Sequence, residues 1–381
     1  MSGFGIDHLP YGVFSVDGGE RRVGVRFENT VVDLHAATGR PEFLAPSLNA
    51  FLALGPEVWR QTREEVAGLV ETGVASSPLA EVALHLPIEV ADYVDFYASE
   101  HHAANVGRIF RPDQQPLLPN WKHLPVGYHG RAGTVVVSGT DVVRPSGQRA
   151  STGSTTAGPP APTYGPSRRL DIEAELGFVV GAPSELGSRV PYDAFAEHVF
   201  GVVGLNDWSA RDIQAWEYVP LGPFLGKSFA TSISHWVTPL AALDAAWCAL
   251  PDQDPTPLPY LGPGRVRGLD IDVEVVLNGE VVSRPPYRTM YWSPQQMLAH
   301  LTVNGASLRT GDLFGSGTIS GPEAGERGSF LELSWGGQEP FGDGRTFLED
   351  GDEVALRYSA PGTGGGRISL GDVTGRIAPA R

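Results

Sequence analysis

Two glutamates, Glu173 and Glu175, are separated by a single residue in the apolar segment that runs from Leu170 to Val180. The second half of this segment has the composition of a β-strand, in which alternate side chains point to the same face. The two carboxylates would then lie side by side among hydrophobic neighbours, where they repel each other and lose hydration. A hard divalent cation such as calcium, magnesium or manganese relieves both penalties. A solvated strand face is the simpler alternative for an isolated Glu-x-Glu pair.

Three further stretches combine dense polar chemistry with apolar surroundings. They are residues 95–102 (Asp-Phe-Tyr-Ala-Ser-Glu-His-His) with an arginine beyond, residues 120–131, and residues 206–228. In the last stretch, Asp207 ends an apolar strand and precedes a helix, which is a frequent place for a ligand or catalytic group. Arg211 and Gln214 share one face of that helix because they are three residues apart.

Composition and charge exclude several classes of function. The 381 residues are 41% hydrophobic and 19% charged, which is enough for a large core, and the 48 glycines and 32 prolines indicate a turn-rich, mainly β protein. A net charge of −16 without any basic run argues against nucleic-acid binding. The single cysteine, Cys248, excludes an internal disulfide and a cysteine-based zinc site. Because we find neither a signal peptide nor a membrane-spanning apolar run, we predict a reducing, cytoplasmic compartment and no membrane partner.

The elements that must position these residues begin with a small β-rich segment. Short strands are predicted around an Asp17-Gly18 turn, which is a hairpin signal, and a helix is predicted from Pro56 to Val70. This segment ends near Pro87.

From residue 88 onward, strands dominate. The clearest predicted strands cover residues 134–138, 176–180, 199–205, 273–277, 330–334 and 353–358. Ser293 and the residues that follow it open a helix through a capping box. A shorter helix is predicted over residues 209–216 with Ser209 as its cap, and residues 145–166 are predicted to form a loop rich in proline and glycine.

The four polar stretches closely resemble the fumarylacetoacetate hydrolase (fumarylacetoacetase) family. The resemblance extends to residues 316–321 (Ser-Gly-Thr-Ile-Ser-Gly) and 331–335 (Leu-Glu-Leu-Ser-Trp). It implies a small N-terminal SH3-like β-barrel domain over residues 1–87 and a C-terminal catalytic domain with a mixed β-roll over residues 88–381. It also implies that the working form is a homodimer.

The resemblance implies a metal centre that contains the glutamate pair. A calcium or magnesium ion would be held by Asp95, Glu173, Glu175 and Asp207. The family also allows a second, structural magnesium near Lys227 and Thr231. Because four carboxylates around one divalent ion leave a negative site, nearby cations such as Lys227 and Arg211 are needed.

The reaction implied by the resemblance is hydrolysis of the carbon–carbon bond of 4-fumarylacetoacetate to fumarate and acetoacetate, which ends phenylalanine and tyrosine breakdown. The cation would chelate the diketone and stabilise the enolate leaving group. His102 would be the general base for water, with Glu332 orienting its ring. The implied donors to the oxyanion are Arg211, Gln214 and Lys227. The implied substrate-binding residues are Tyr97, Arg111, Tyr128, Arg211, Gln214, Tyr218 and Thr318.

Two alternatives remain open at this point. A superfamily relative that hydrolyses, decarboxylates or isomerises acylpyruvates or other 2-oxo acids would keep the metal carboxylates. It would lack the N-terminal domain and the substrate-binding set of tyrosines and arginine. A non-catalytic, metal-stabilised binding protein would have no need of His102, Glu332 and Lys227 together.

Overall fold

A computed structural model describes residues 3–151 and 161–381, and it confirms the predicted mainly β fold. The α-helices are α1 (Leu34–Thr38), α2 (Asn49–Leu52), α3 (Pro56–Thr72), α4 (Glu100–Phe110), α5 (Phe195–His198), α6 (Arg211–Glu217), α7 (Pro294–Thr302) and α8 (Phe330–Leu333). The strands of the first half are β1 (Tyr11–Val16), β2 (Arg22–Phe27), β3 (Thr30–Asp33), β4 (Ser77–Pro78), β5 (Val82–His85), β6 (Tyr93–Phe96), β7 (Gly127–His129), β8 (Val135–Val137), β9 (Val142–Val143), β10 (Ser146–Ala150), β11 (Pro162–Pro166), β12 (Leu170–Asp171) and β13 (Ala174–Val180). Those of the second half are β14 (Val199–Asp207), β15 (Ser209–Ala210), β16 (Thr231–Ile233), β17 (Trp236–Pro239), β18 (Trp247–Ala249), β19 (Arg267–Leu269), β20 (Asp272–Leu277), β21 (Glu280–Ser283), β22 (Leu313–Gly315), β23 (Glu353–Pro361) and β24 (Arg367–Ala378).

The N-terminal segment folds as its turn and helix signals predict. Asp17 and Gly18 both have positive φ angles, of 50° and 71°, and they begin the five-residue turn that connects β1 to the antiparallel β2. Helix α3 begins at the predicted proline and ends at Gly73, whose left-handed conformation stops it. Its buried face, which includes Trp59 and Val66, packs into a core that this segment shares with Phe200 and other residues of the central strands.

One long sheet links this segment to the strands that carry the polar residues. Among the described residues, its main path runs β4-β3-β2-β1-β17-β14-β13-β22-β6-β7. The junction is the antiparallel pairing of β1 with β17, in which Tyr11 faces Val237. The strands β14, β13, β22 and β6 are therefore consecutive neighbours, so residues near their ends can meet. The division into two domains at residue 87 and the closed N-terminal barrel stay predictions.

A second sheet, ordered β21-β20-β23-β24-β9, covers the first. Tyr358 on β23 reaches across the core, where its hydroxyl donates to the carbonyl of Leu205 at 3.0 Å. The neighbouring Gly204 permits this approach, since a Cβ there would lie 2.4 Å from the tyrosine ring. This contact holds the C-terminal end of β14, which carries Asp207, against the second sheet.

The predicted strand over residues 330–334 is wrong, because this segment is the helix α8. The alternating apolar pattern of Phe-Leu-Glu-Leu is typical of a strand, but the backbone amides find partners that start a helix. The Ser329 side chain accepts from the amide of Glu332, and the carboxylate of Asp171 accepts from the amides of Phe330 and Leu331. Sequence spacing does not reveal that distant aspartate.

Two other local predictions need correction. Ser209 does not cap the helix after Asp207: it lies in β15, and its hydroxyl donates to the Asp207 carbonyl, while α6 begins at Arg211 without a side-chain cap. The stretch 145–166 is not a loop throughout, since β10 pairs with β11 along five residues. Its residues 152–160 lie outside the described part. By contrast, the predicted capping box at Ser293 is confirmed. No described helix has the length and apolar character needed to cross a membrane.

Candidate active site

Four buried carboxylates converge where the central strands of the long sheet end. Ligand oxygens of Asp95, Glu173, Glu175 and Asp207 all lie within 4.8 Å of one another. Asp95 is on β6, Glu175 is on β13, Asp207 ends β14, and Glu173 directly precedes β13. Between β6 and β13 lies Gly315 of β22, where a Cβ would lie 2.7 Å from Asp95 Oδ1 and 2.8 Å from Glu175 Oε2. The glycine therefore allows these two carboxylates to approach each other.

The cluster has an unpaired half that suits a hard cation. Asp95 Oδ1 and Glu175 Oε1 are buried and have no hydrogen-bond partner among the residues that the structure describes. Burial and the neighbouring carboxylates raise the pKa of both groups well above the usual range, because each charge is desolvated beside others of the same sign. Orphaned carboxylate oxygens are what calcium and magnesium bind in proteins, so the residues present fit such an ion.

The other half of the cluster is paired with a buried lysine. Lys227 Nζ lies 2.6 Å from Glu173 Oε2 and 2.7 Å from Asp207 Oδ2. Burial alone would lower the pKa of Lys227, but these two carboxylates raise it above the usual range. The amine is therefore protonated and has no lone pair for a metal. Asp207 also accepts from Tyr128 Oη at 2.8 Å and from Thr231 Oγ1 at 3.1 Å, which places both predicted site residues on this carboxylate.

Two of the three guanidinium nitrogens of Arg211 have partners in the described structure, and the third has none. Its Nε donates to Asp171 Oδ2 at 2.8 Å, and its Nη1 lies 2.7 Å from Glu173 Oε1. The same Nη1 donates to Gln214 Oε1 at 3.3 Å, so the two residues predicted to share a helix face do so. Nη2 is buried without a hydrogen-bond partner in the described part of the chain. A bound substrate oxygen could satisfy an orphaned donor of this kind.

His102 and Glu332 form a buried pair. His102 Nδ1 lies 2.6 Å from Glu332 Oε2, which also accepts from the hydroxyls of Ser320 at 2.9 Å and Ser329 at 2.8 Å. Glu332 Oε1 accepts from Asn105 at 2.9 Å. Burial would raise the pKa of Glu332, but His102 and these donors lower it below its usual value, so the carboxylate is ionised. An ionised partner fixes the proton of the neutral ring on Nδ1 and leaves Nε2 as the basic atom.

Tyr97, Arg111 and Thr318, three of the remaining predicted residues, are buried or half-buried. The Tyr97 ring packs edge-on against His102 with 5.2 Å between ring centroids, and burial together with Glu173 and Glu332 raises the pKa of its hydroxyl. Arg111, which ends α4, donates from Nη2 to the Pro116 carbonyl. The buried atoms Arg111 Nε and Thr318 Oγ1 lack partners within residues 3–151 and 161–381.

Tyr218, at the end of α6, is 45% exposed. It is therefore the most open of the predicted site residues.

Both parts of the chain match families of known proteins. Residues 92–377 match the model described as Fumarylacetoacetate (FAA) hydrolase C-terminal, and residues 7–87 match Fumarylacetoacetase N-terminal. The chain belongs to the fumarylacetoacetase family. It is 45% identical over 412 residues to the fumarylacetoacetase of Bos taurus, with 100% of this chain and 97% of that relative covered. It is 42% identical over 412 residues to that of Arabidopsis thaliana, with 100% and 96% covered.

A solved structure shows the same fold at lower identity. The fumarylacetoacetate hydrolase from Exiguobacterium antarcticum superposes with a TM-score of 0.61 and 18% identity, covering 98% of this chain and 100% of that one. The match of residues 7–87 to the Fumarylacetoacetase N-terminal model agrees with the predicted fumarylacetoacetase branch.

Sequence reasoning missed several residues of this fumarylacetoacetase site. Asn105 lies three residues after His102 on α4, so helical spacing could have paired it with the histidine. Asp171 precedes Glu173 by two residues, and the same alternation that singled out the glutamate pair includes it. Ser320 and Ser329 gave no signal of their own, since isolated serines are common in loops.

Proposed function

We propose that this chain hydrolyses the carbon–carbon bond of 4-fumarylacetoacetate to fumarate and acetoacetate, the last step of phenylalanine and tyrosine catabolism. The observation that carries the proposal is an identity of 40–45% to curated fumarylacetoacetases over the whole chain. The buried acidic cluster and the His102–Glu332 pair supply the groups that such a hydrolysis needs.

The metal would be held by the four clustered carboxylates, Asp95, Glu173, Glu175 and Asp207. When bound, it would polarise the keto oxygens of the substrate and stabilise an enolate leaving group. We propose calcium or magnesium, because every available ligand is a hard carboxylate oxygen. The second, structural magnesium near Lys227 and Thr231 stays a prediction from the family resemblance.

His102 acts as the general base in this proposal. Its Nε2 takes a proton from water while the water oxygen bonds to the carbonyl carbon of the fumaryl half. Glu332, 2.6 Å from Nδ1, holds the ring and stabilises the imidazolium that forms. When the carbon–carbon bond breaks, its electron pair passes to the acetoacetate half. The proton then returns from the histidine to that carbon, which becomes the methyl group of acetoacetate.

Donors around the carbonyl stabilise the oxyanion of the tetrahedral intermediate. Arg211 presents the unpartnered Nη2, and Gln214 and Lys227 lie on the same side of the cluster through their contacts with Arg211 and Glu173. The substrate carboxylates and keto groups are assigned to Tyr97, Arg111, Tyr128, Tyr218 and Thr318. Arginine suits a carboxylate because its guanidinium donates two parallel hydrogen bonds.

The deciding experiment measures the loss of diketone absorbance when purified protein is mixed with fumarylacetoacetate. The protein is used as purified, after chelation, and after chelation followed by calcium or magnesium. Cleavage that disappears with the metal and returns with it supports both the reaction and the need for the ion. Cleavage that survives thorough chelation contradicts the metal requirement, and no cleavage by folded, metal-loaded protein contradicts the function.

We further propose that the working form is a homodimer. The segment from residue 218 to residue 225, between Gln214 and Lys227, exposes five large apolar side chains, among them Leu221, which is 96% exposed. An apolar patch of this kind is typical of a protein contact surface. Light scattering after size exclusion should give twice the chain mass of 40.6 kDa. A mass of one chain at micromolar concentration would contradict the proposal.

A further inference from the structure

Asp171 is a fully buried carboxylate two residues before Glu173 of the acidic cluster. The proposed reaction gives Asp171 no role. Its Oδ1 accepts from the amides of Ile172 and Phe330, both at 2.7 Å. Its Oδ2 accepts from the amide of Leu331 at 3.0 Å and from Arg211 Nε at 2.8 Å. Three backbone donors therefore fix the carboxylate, and one oxygen of this fixed group holds the arginine.

These contacts join the two halves of the reaction machinery. Phe330 and Leu331 open α8, and the next residue of that helix is Glu332, the partner of His102. Asp171 thus binds the start of the helix that carries the base pair and, through its other contact, binds Arg211. The same buried carboxylate therefore holds Arg211, the proposed oxyanion donor, and the helix that carries the partner of His102.

Asp171 provides a second anchor for Arg211, because the contact with Glu173 alone does not fix the orientation of the guanidinium. A planar guanidinium held through Nη1 only can rotate about that contact, whereas contacts at Nε and Nη1 together fix its plane and the direction of Nη2. Glu173 is also shared with Lys227 and is one of the four carboxylates proposed to bind the ion. The position of Glu173 therefore depends on whether the acidic cluster holds an ion. The position of Asp171 does not, because three backbone amides hold it.

We propose that Asp171 is a positioning residue of the hydrolysis, which orients Arg211 Nη2 toward the oxyanion and couples that donor to the segment carrying Glu332. This inference rests on the proposed function. It assigns Asp171 no contact with substrate and no place among the metal ligands. Since misplacing a catalytic group by about 1 Å can cost about 100-fold in rate, its loss should appear in kcat.

The test replaces Asp171 with asparagine, alone and together with Arg211→Gln. Asparagine keeps one oxygen for the amides of Ile172 and Phe330 but places an NH2 group where Arg211 Nε and the Leu331 amide donate. We expect kcat for fumarylacetoacetate to fall about 100-fold, with little change in KM or in calcium affinity. Arg211→Gln should lower kcat about 100- to 1000-fold. In the Arg211→Gln background, Asp171→Asn should cost much less than the 100-fold expected in wild type, because the contact between Asp171 and Arg211 is already absent.

Asp352→Asn is the matched control. Asp352 is also buried, and it accepts from Arg345 at 3.0 Å and from the Glu349 amide at 2.7 Å, without any of the site residues among these partners. Its replacement should lower stability and leave kcat unchanged. Wild-type kcat in Asp171→Asn, or losses that multiply in the double variant, would overturn the positioning role. An inactive wild type would overturn the proposed function and this inference with it.

Arg211→Lys covers the case in which Asp171→Asn does not fold. Lysine keeps a positive charge near Glu173 but has no counterpart of Nε for Asp171. Its kcat should fall at least as far as the 100-fold expected for a misplaced donor. Wild-type kcat in this variant would refute the need for the second anchor.

Discussion

Replacing Glu175 with glutamine should stabilise the metal-free protein and remove most of the stabilisation that calcium provides. In the absence of metal, Glu175 is buried among three other carboxylates, and its Oε1 has no hydrogen-bond partner in the described structure. Its charge therefore destabilises the metal-free fold. With metal present, the same carboxylate becomes one of four ligands and stabilises the fold. Glutamine removes both effects at once while keeping the shape of the side chain.

The size of the effect follows from the spacing of the cluster. Two unit charges separated by 4.8 Å, the upper limit within this group, repel by about 3.5 kcal/mol at an effective dielectric constant of 20. Proton uptake by Glu175, whose pKa burial and the neighbouring carboxylates raise well above the usual range, limits this cost, as does the attraction of Lys227. We therefore expect metal-free Glu175→Gln to be about 2 kcal/mol more stable than metal-free wild type at pH 8.

Urea unfolding followed by fluorescence of the eight tryptophans measures both states. Calcium at 100 times its dissociation constant should stabilise the wild type by about 2.7 kcal/mol and the variant by less than about 1 kcal/mol. The advantage of the variant in EGTA, about 2 kcal/mol, should therefore shrink to within about 1 kcal/mol of zero in calcium. Midpoints for both proteins should be read at one pH, since the metal-free wild type takes up protons.

Asp312→Asn provides the control for removing a buried carboxylate elsewhere. Burial raises the pKa of Asp312 to about 6, but this residue lies outside the acidic cluster. It should keep the full calcium response of the wild type. A Glu175→Gln variant that is less stable than wild type in EGTA, or that responds to calcium as the wild type does, would refute the assignment of Glu175 as a metal ligand.

Three further variants test the base, the ligand shell and an acid-sensitive core contact. His102→Ala should lower kcat about 100- to 10,000-fold with calcium still bound, which kinetics and calorimetric titration check together; near-normal turnover would exclude His102 as the base. Tyr128→Phe removes the donor to Asp207 and should weaken calcium binding about 10-fold in the same titration. Burial lowers the pKa of His8 to about 3, so below pH 6.5 protons bind the unfolded chain in preference to the folded one. On lowering the pH from 8 to 5, wild type should therefore lose about 2 kcal/mol relative to His8→Gln in urea unfolding, and equal losses would contradict this.

The sequence predicts the centre of the acidic cluster because grouped carboxylates in apolar surroundings have few physical remedies. Glu173 and Glu175 are recognisable from local spacing alone, although Glu173 lies just before β13 and not within it. Asp95 is on β6, which reaches β13 only through the intervening strand β22. Spacing along a chain carries no information about that arrangement. The resemblance to a family was needed to add the distant ligands.

The helix α8 shows why some local structure is beyond sequence patterns. The residues from Phe330 to Leu333 alternate as a strand does, and the nominated Glu332 lies within them. The conformation is decided by a carboxylate far earlier in the chain, since Asp171 takes the amides of the first two helical residues. A strand here would point alternate residues to opposite faces and leave this buried carboxylate without two of its donors. The error in the predicted element and the omission of Asp171 have the same cause.

The carboxylates of the site differ in whether a cation is their partner, and this difference decides whether they are ionised without a metal. Glu173 contacts both Arg211 and Lys227, and although burial opposes ionisation, these cations hold its pKa below the usual range. It stays charged whether or not a metal is present. Asp95 and Glu175 have orphaned oxygens and raised pKa values, so without a metal they bind protons. Binding of a divalent ion should therefore release protons from this unpaired half, while the half paired with the cations keeps the oxyanion donors in place.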